Sequence, residues 1–287
     1  MKTFSKKPAE QNYHRIDCPL CGEDSFSSVW RKVEIPFVRC VNCGLVFQNP
    51  QPAAEELARR YDGEYFEYEI ENEDSFYDLM KLGLNDVGFF DIERSILDSS
   101  LKEGRQPSFL DVGCATGKLI FSMQERGWKV RGVEVCDSSA RYGIEKRGLD
   151  IHIGPLETAE IQGSSQDAVH CSHLIEHLTD PDAFVAEVVR ILRPGGIFIV
   201  VTPDISGFQS RLFGADWRSA IADHMFLFSR KSLSALMQKH CLNIQKISSW
   251  GGLAAGTAPK WLKKTADRLV KPLGAGDVVC IMGMKTS

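Results

Sequence analysis

The stretch "SFLDVGCATGKLIF", residues 108–121, sets a short apolar run against a glycine-broken turn and then an amphipathic run. That order reads as strand, tight turn and helix, with Gly113 and Gly117 letting a ligand approach the backbone closely. Counted from Gly113, the dinucleotide fingerprint G-x-G-x-x-G fails twice, at Ala115 and at Lys118. Asp111 also ends the strand beside the turn. A carboxylate there would repel a pyrophosphate and attract an ammonium or sulfonium. The turn therefore fits a ligand with a cationic end and no phosphate.

Working outward, "SFLDVG" is a first strand and "KLIFSMQERG" its helix, stopped by Gly127. "KVRGVEV", "DIHIG", "DAVHCS" and "GGIFIVVTP" supply four more strands, separated by amphipathic runs. "LNIQKISSW" and "DVVCIMGMK" supply a terminal pair. The pattern predicts an α/β fold: a doubly wound, mostly parallel seven-stranded sheet over residues 106–287. Ahead of it lie a polar tail (1–13), a cysteine-bearing module (14–50) and a helical linker or lid (51–105). Within the lid no basic residue occurs from Asp62 to Asp78. This acidic, aromatic run reads as a solvated face.

Cys18 and Cys21 in "CPLCG" and Cys40 and Cys43 in "CVNCG" form two Cys-x-x-Cys-Gly knuckles, 18 residues apart. Two such turns aim four thiolates at one point, the soft tetrahedral set that Zn²⁺ takes. Four thiolates close the shell, so the metal is expected to be structural. From His14 to Gln48 four basic residues balance four acidic ones, which argues against a ribbon built to grip RNA.

The whole chain of 287 residues carries a net charge of −4, giving no global pull toward nucleic acid. No run approaches the roughly 18–20 apolar residues that span a bilayer, and the first residues lack the apolar core of a leader. Of nine cysteines, five are scattered singly in apolar stretches. That usage suits a reducing cytoplasm. Residues 259–272, with five basic residues against one acidic, read as an amphipathic helix. It is expected to pack on the sheet edge, a membrane-surface contact being the alternative. Oligomeric state is not legible.

Through Asp111, Gly113, Ala115 and Gly117 the chain resembles the class I S-adenosylmethionine-dependent methyltransferases, whose first motif is acidic-x-Gly-x-Gly-x-Gly. Ala115 stands in place of the middle glycine. "VRGVEVCD", "PLETAEI", "DAVHCSHLIEHLTDP" and "LRPGGIFIVVTP" follow in the family's order. The resemblance implies S-adenosylmethionine as cofactor and S-adenosylhomocysteine as product. It implies that Asp111, Gly113, Cys114, Ala115 and Gly117 surround the amino-acid end. Glu134, followed by Val135, would take the ribose hydroxyls, and Leu156 and Glu157 would flank the adenine. His173 would line the methyl donor, and Tyr65 would close over it. With the knuckles, "YDGEYFE" and "ADHMFLFSRKSLSALMQKHCLNIQKI", the layout is also similar to bacterial small-molecule methyltransferases with an N-terminal zinc module, many acting on sugars.

Transfer from a sulfonium needs alignment and, for a hydroxyl, a base, but no nucleophilic side chain or metal. His224 and His173 are the candidate bases, the alternative for His224 being a packed or capping histidine. His177 reads as a hydrogen-bonded histidine at a helix start. Cys114 and Cys171 read as buried small residues. The implied function is methyl transfer to a small polar acceptor such as a nucleotide-linked sugar. The alternatives are an rRNA or tRNA base methyltransferase using the ribbon for recognition, and a non-catalytic S-adenosylmethionine-binding scaffold.

Overall fold

A computed structural model describes residues 13–30, 36–52, 63–251 and 274–286. Residues 1–12 of the tail, the basic run 259–272, Tyr61 and the side chain of Tyr65 lie outside the described residues.

The chain opens with β1 (Tyr13–His14), β2 (Phe26–Ser28), β3 (Phe37–Cys40), β4 (Val46–Gln48) and β5 (Gln51–Pro52). Two helices follow, α1 (Gly63–Asp86) and α2 (Phe89–Lys102). Next come β6 (Ser108–Val112), α3 (Lys118–Glu125), β7 (Lys129–Glu134), α4 (Asp137–Arg147) and β8 (Ile151–Ile153). Then β9 (Gln166–Ser172), α5 (Pro181–Ile191), β10 (Leu192–Pro203) and α6 (Phe208–Phe213) complete the parallel part. The chain ends in β11 (Phe226–Leu227), α7 (Arg230–Lys239), β12 (Leu242–Trp250) and β13 (Val278–Lys285).

Seven strands form the main sheet in the order β12-β13-β10-β9-β6-β7-β8, with only the β13 pairings antiparallel. The expected doubly wound sheet is present, strand for strand. Its strands are apolar on both faces because helices cover both. Leu110, Val112, Val169, Cys171, Phe198 and Val200 face one core, shared with α5 and α7. Phe109, Ala168, Ile197, Ile199 and Val201 face the other, against α1, α2 and α3. Helix ends follow local chemistry. Asp180 caps α5 by accepting from Ala183 N at 2.9 Å, with Pro181 in its first turn. Gly127, at φ 98°, turns the chain after α3.

The four-stranded N-terminal sheet, β11-β4-β3-β2, takes its first strand from far along the chain. Phe226 pairs with Phe47 and Leu227 with Val46, and the Phe47 and Phe226 rings stack at 6.1 Å. Gln48 Nε2 donates to the carbonyls of Ala222 (2.9 Å) and His224 (2.8 Å). The knuckle module is thus stitched to the segment leading into α7.

Candidate active site and cysteine centre

The turn after β6 is shaped by left-handed backbone. Gly113, Ala115 and Gly117 have φ of 74°, 50° and 76°. Ala115 occupies the left-handed region that glycine accepts more cheaply, so the substitution that looks mild in sequence carries local strain. Glu134, 5% exposed at the end of β7, clamps the turn. Its Oε2 accepts from Ala115 N and its Oε1 from Cys136 N, both at 2.8 Å. Burial raises its pKa, against these amide bonds. A carboxylate has about four lone-pair sites, so two remain for hydroxyl donors. Leu156 is buried, whereas Val135 and Glu157 are exposed. Cys114 and Cys171 are buried as expected, their thiols pushed well up by burial.

Asp111 differs from its sequence reading. Its carboxylate is 1% exposed and is engaged by His170 Nδ1 at 2.7 Å, across the β6–β9 pairing. Burial raises its pKa and His170 opposes the rise. The carboxylate expected to meet a cationic ligand is thus also tied to the neighbouring strand beneath the turn.

The acidic run of α1 also departs from the solvated face expected of it. Glu69 accepts from Ser139, and Glu73 accepts from Thr116 of the turn. Arg147 Nη2 donates to both Glu73 oxygens at 2.8 Å, and Arg147 Nη1 to the Thr116 carbonyl. Lys118 pairs with Asp74. Helix α1 is therefore laid across the turn by its acidic residues. The sequence carried this signal only as an unexplained gap in basic residues.

Beyond β9 the histidines gather. His173 takes φ 52°, and its Nδ1 donates to Glu176 Oε1 at 3.2 Å. Glu176 is 1% exposed, and its Oε2 accepts from Thr202 Oγ1 of β10 at 2.9 Å. Burial would raise Glu176, but the hydrogen bond and charges of His173, with His177 and His224, bring it down to about 2. His177 Nδ1 donates to the Asp223 carbonyl at 2.9 Å. His224 Nδ1 donates to the Ser219 carbonyl at 2.8 Å. The His177 and His224 rings meet edge to face at 4.7 Å. Burial, then the charge of His177, pushes His224 down to about 4, so its imidazole is neutral at pH 7. Leu174 joins this group to the turn, its Cδ1 lying 3.5 Å from where a Cβ on Gly113 would stand. Sequence reasoning named the three histidines but missed Glu176 and Thr202. The His173-x-x-Glu176-His177 spacing was the available signal.

The four knuckle cysteines converge, all Sγ atoms lying within 4.8 Å of one another. Cys18 and Cys43 are 3.4 Å apart and Cys21 and Cys40 are 3.5 Å apart. Sulfurs on one tetrahedral Zn²⁺ stand about 3.8 Å apart, from Zn–S near 2.3 Å. The donor set fits zinc, which Cys18, Cys21, Cys40 and Cys43 would hold.

A profile of the methyltransferase-domain family matches residues 90–247. Among curated proteins, the ubiquinone biosynthesis O-methyltransferase of Idiomarina loihiensis is 39% identical over 93 residues, 30% of this chain and 38% of that protein. The enzyme of the same name from Alkalilimnicola ehrlichii is 29% identical over 123 residues, 40% and 49% of the two chains. The chain thus spans half or less of the length of these curated relatives. Among solved structures, a methyltransferase from Thermotoga maritima described as a possible histamine N-methyltransferase aligns with TM-score 0.53 and 21% identity, over 77% of this chain and 98% of that one. One from Archaeoglobus fulgidus aligns with TM-score 0.53 and 14% identity, over 77% and 99%. These two likenesses concern the fold alone. With the profile match, the seven-stranded sheet and the glycine turn after β6, the chain belongs to the methyltransferase-domain family as a class I S-adenosylmethionine-dependent methyltransferase.

Proposed function

We propose that this protein transfers a methyl group from S-adenosylmethionine to a hydroxyl oxygen of a small polar acceptor. The observation that carries the proposal is the His173–Glu176 pair in the segment whose Leu174 lies against Gly113 of the glycine turn. The O-methyltransferase activity of the curated relatives supports oxygen as the target. A nucleotide-linked sugar draws no support from them.

When bound, the cofactor supplies a methyl group on a sulfonium that departs as a neutral thioether. The chain's own residues do the rest. Gly113, Cys114, Ala115 and Gly117 present backbone to the amino-acid end, and Asp111 acts beneath them through the sheet. Glu134, already rigid through two amide bonds, offers its remaining lone pairs to the ribose hydroxyls, with Val135 alongside. Leu156 and Glu157 border the adenine, and Tyr65 is assigned the role of closing over the methyl donor. A base must accept a proton near neutral pH. His224, held down to about 4, is poorly suited to that task. We assign the base to His173, half-exposed and oriented by the Glu176 carboxylate.

The residues 18–43 centre serves as a structural zinc site, and residues 51–105 as the covering segment. The test is calorimetric titration of the full chain with S-adenosylhomocysteine. It is followed by transfer of labelled methyl from the cofactor to a panel of phenols and alcohols. Micromolar binding with label recovered as a methyl ether is expected. Absence of binding overturns the proposal, and label appearing only on amines or on rRNA overturns the acceptor class.

A further inference from the structure

Asp111 and His170 are register partners on β6 and β9, and His170 Nδ1 lies 2.7 Å from Asp111 Oδ1. Both residues are closed off from water, at 1% and 0% exposure. The imidazole stacks on the Phe109 ring, with centroids 6.4 Å apart. On the other side His170 is paired with Ile199 of β10, itself buried. His170 Nε2 is also buried and has no hydrogen-bond partner among the described residues. That orphaned atom decides where the proton sits. A proton on Nε2 would leave a buried N–H unpaired, which folded proteins all but exclude, whereas an unpaired acceptor is less rare. Nε2 therefore keeps a bare lone pair. The ring is neutral, and its one proton sits on Nδ1 and is donated to Asp111. A neutral donor leaves Asp111 its whole negative charge, which a lysine or arginine in the same place would cancel.

The other ionisable groups on this side of the sheet do not supply the same bond. Glu134 of β7 and Asp111 repel one another, and both bear on the thiol of Cys114; Asp111 also bears on that of Cys171. From α1, Glu69 adds a further carboxylate near Cys114, and Asp86 lies near Cys280 of β13. The cations nearby are engaged elsewhere: Arg147 with Glu73, Lys118 with Asp74, and Arg126 with Glu93 of α2. Burial drives Asp111 toward its neutral form, and the contact with His170 opposes it. We infer that His170 is a positioning residue for cofactor binding: its neutral Nδ1–H keeps Asp111 ionised and fixed beneath the glycine turn, where the carboxylate attracts the cationic amino-acid end of S-adenosylmethionine. The inference rests on the cofactor assignment under Proposed function. Only Val112 separates Asp111 from Gly113, at φ 74°, and a charge in so dry a setting acts strongly across a few ångströms. His170, with no exposed surface, acts only through Asp111.

The experiment measures S-adenosylhomocysteine affinity by calorimetry for the full chain, wild type and His170→Leu, from about pH 6.5 to about pH 9. The ratio of the two dissociation constants cancels the ligand's own ionisation. At the acid end His170→Leu should bind about tenfold more weakly, the scale of one hydrogen bond to a charged group. The ratio should shrink toward one at the alkaline end, as Asp111 gives up its proton. His170→Asn carries an amide N–H as many bonds from its Cα as Nδ1, and its ratio to wild type should stay nearly flat with pH. A merely structural role would cost the same factor at every pH, and that result, or no loss at all in folded His170→Leu, overturns the inference. Because either variant could misfold, the proton is also located in the wild type by nitrogen NMR of the imidazole rings. His170 should show a protonated Nδ1 and a bare Nε2 across the range, and a cationic ring or the opposite tautomer overturns the inference. Wild type that binds no S-adenosylhomocysteine overturns the proposed function, and the role assigned to His170 with it. Wild type that binds, with profiles parallel to those of His170→Leu, overturns the role of His170 alone.

Discussion

Replacing Gly132 by alanine puts the sharpest load on the site from a distance. Gly132 lies in β7, paired with Asp111, and a Cβ there would stand 2.5 Å from Cys114 Sγ, 3.0 Å from Ile120 Cδ1 and 3.1 Å from Ile151 Cγ1. Carbon and sulfur need well over 3 Å, so the thiol must retreat. Cys114 is 5% exposed and sits inside the glycine turn, between Gly113 and Ala115. Overpacking of this kind costs about 1–3 kcal/mol, and the strain is passed to the turn. Gly132→Ala should therefore lower stability by about 2 kcal/mol in urea unfolding, with an unchanged m-value. It should also weaken S-adenosylhomocysteine, read by calorimetry. Cys114→Ala removes the closest obstructing atom. In that background the Gly132→Ala penalty should shrink by about 1 kcal/mol, a coupling within the range of contacting residues, and cofactor affinity should partly return. Ile120 and Ile151 still have to move, so rescue is incomplete. A Gly132→Ala penalty that is the same with and without Cys114 would refute the reasoning.

Four further outcomes follow from other contacts. Glu93, 5% exposed, accepts from Arg126 Nε at 2.8 Å and Trp128 Nε1 at 2.9 Å. Glu93→Ala strands the buried indole N–H and should cost about 2–3 kcal/mol by urea titration. Zinc content measured by mass spectrometry should be near one per chain and fall to near zero in Cys18→Ser, with the four N-terminal sulfurs then open to thiol reagents. Gln48→Ala removes both bonds to the Ala222 and His224 carbonyls. It should lower kcat for the acceptor while leaving S-adenosylhomocysteine affinity unchanged. Burial works to raise Asp182, but Lys239 and His240 hold it below the usual carboxylate range. Its folded pKa is depressed, so its stabilisation is present above the unfolded value of about 3.9 and is lost as pH falls through the folded one. Wild type and Asp182→Asn should differ in urea midpoint at pH 7 and converge as the pH falls through the depressed folded value.

The strands of the main sheet were legible because each is a short apolar run closed by a turn signal, and parallel sheets bury both faces. The cysteine centre was legible because two knuckles at fixed spacing leave little else for four thiols to do. Asp111 was read as a strand-end residue facing a ligand, and its pairing inside the sheet was not foreseen. Its partner, His170, lies 59 positions away on a neighbouring strand, and no local pattern announces such a pairing. The contact of Glu73 with Thr116 and Arg147 escaped for the same reason. Glu176 was hidden differently. It falls in the 3-10 turn Ile175–His177, just after His173 at φ 52°, and that local geometry brings His173 and Glu176 together.

Strand β11 has a consequence for how this protein can be cut. The family profile begins at residue 90, and a fragment trimmed to that boundary would look reasonable on paper. It would also strip β4 from Phe226 and Leu227, leaving two buried apolar residues on a raw sheet edge with unpaired amides and carbonyls. Such an edge recruits other chains. Expressed alone, that fragment should form soluble aggregates through residues 226–227. The boundary drawn by sequence similarity is therefore not one at which the polypeptide can be severed.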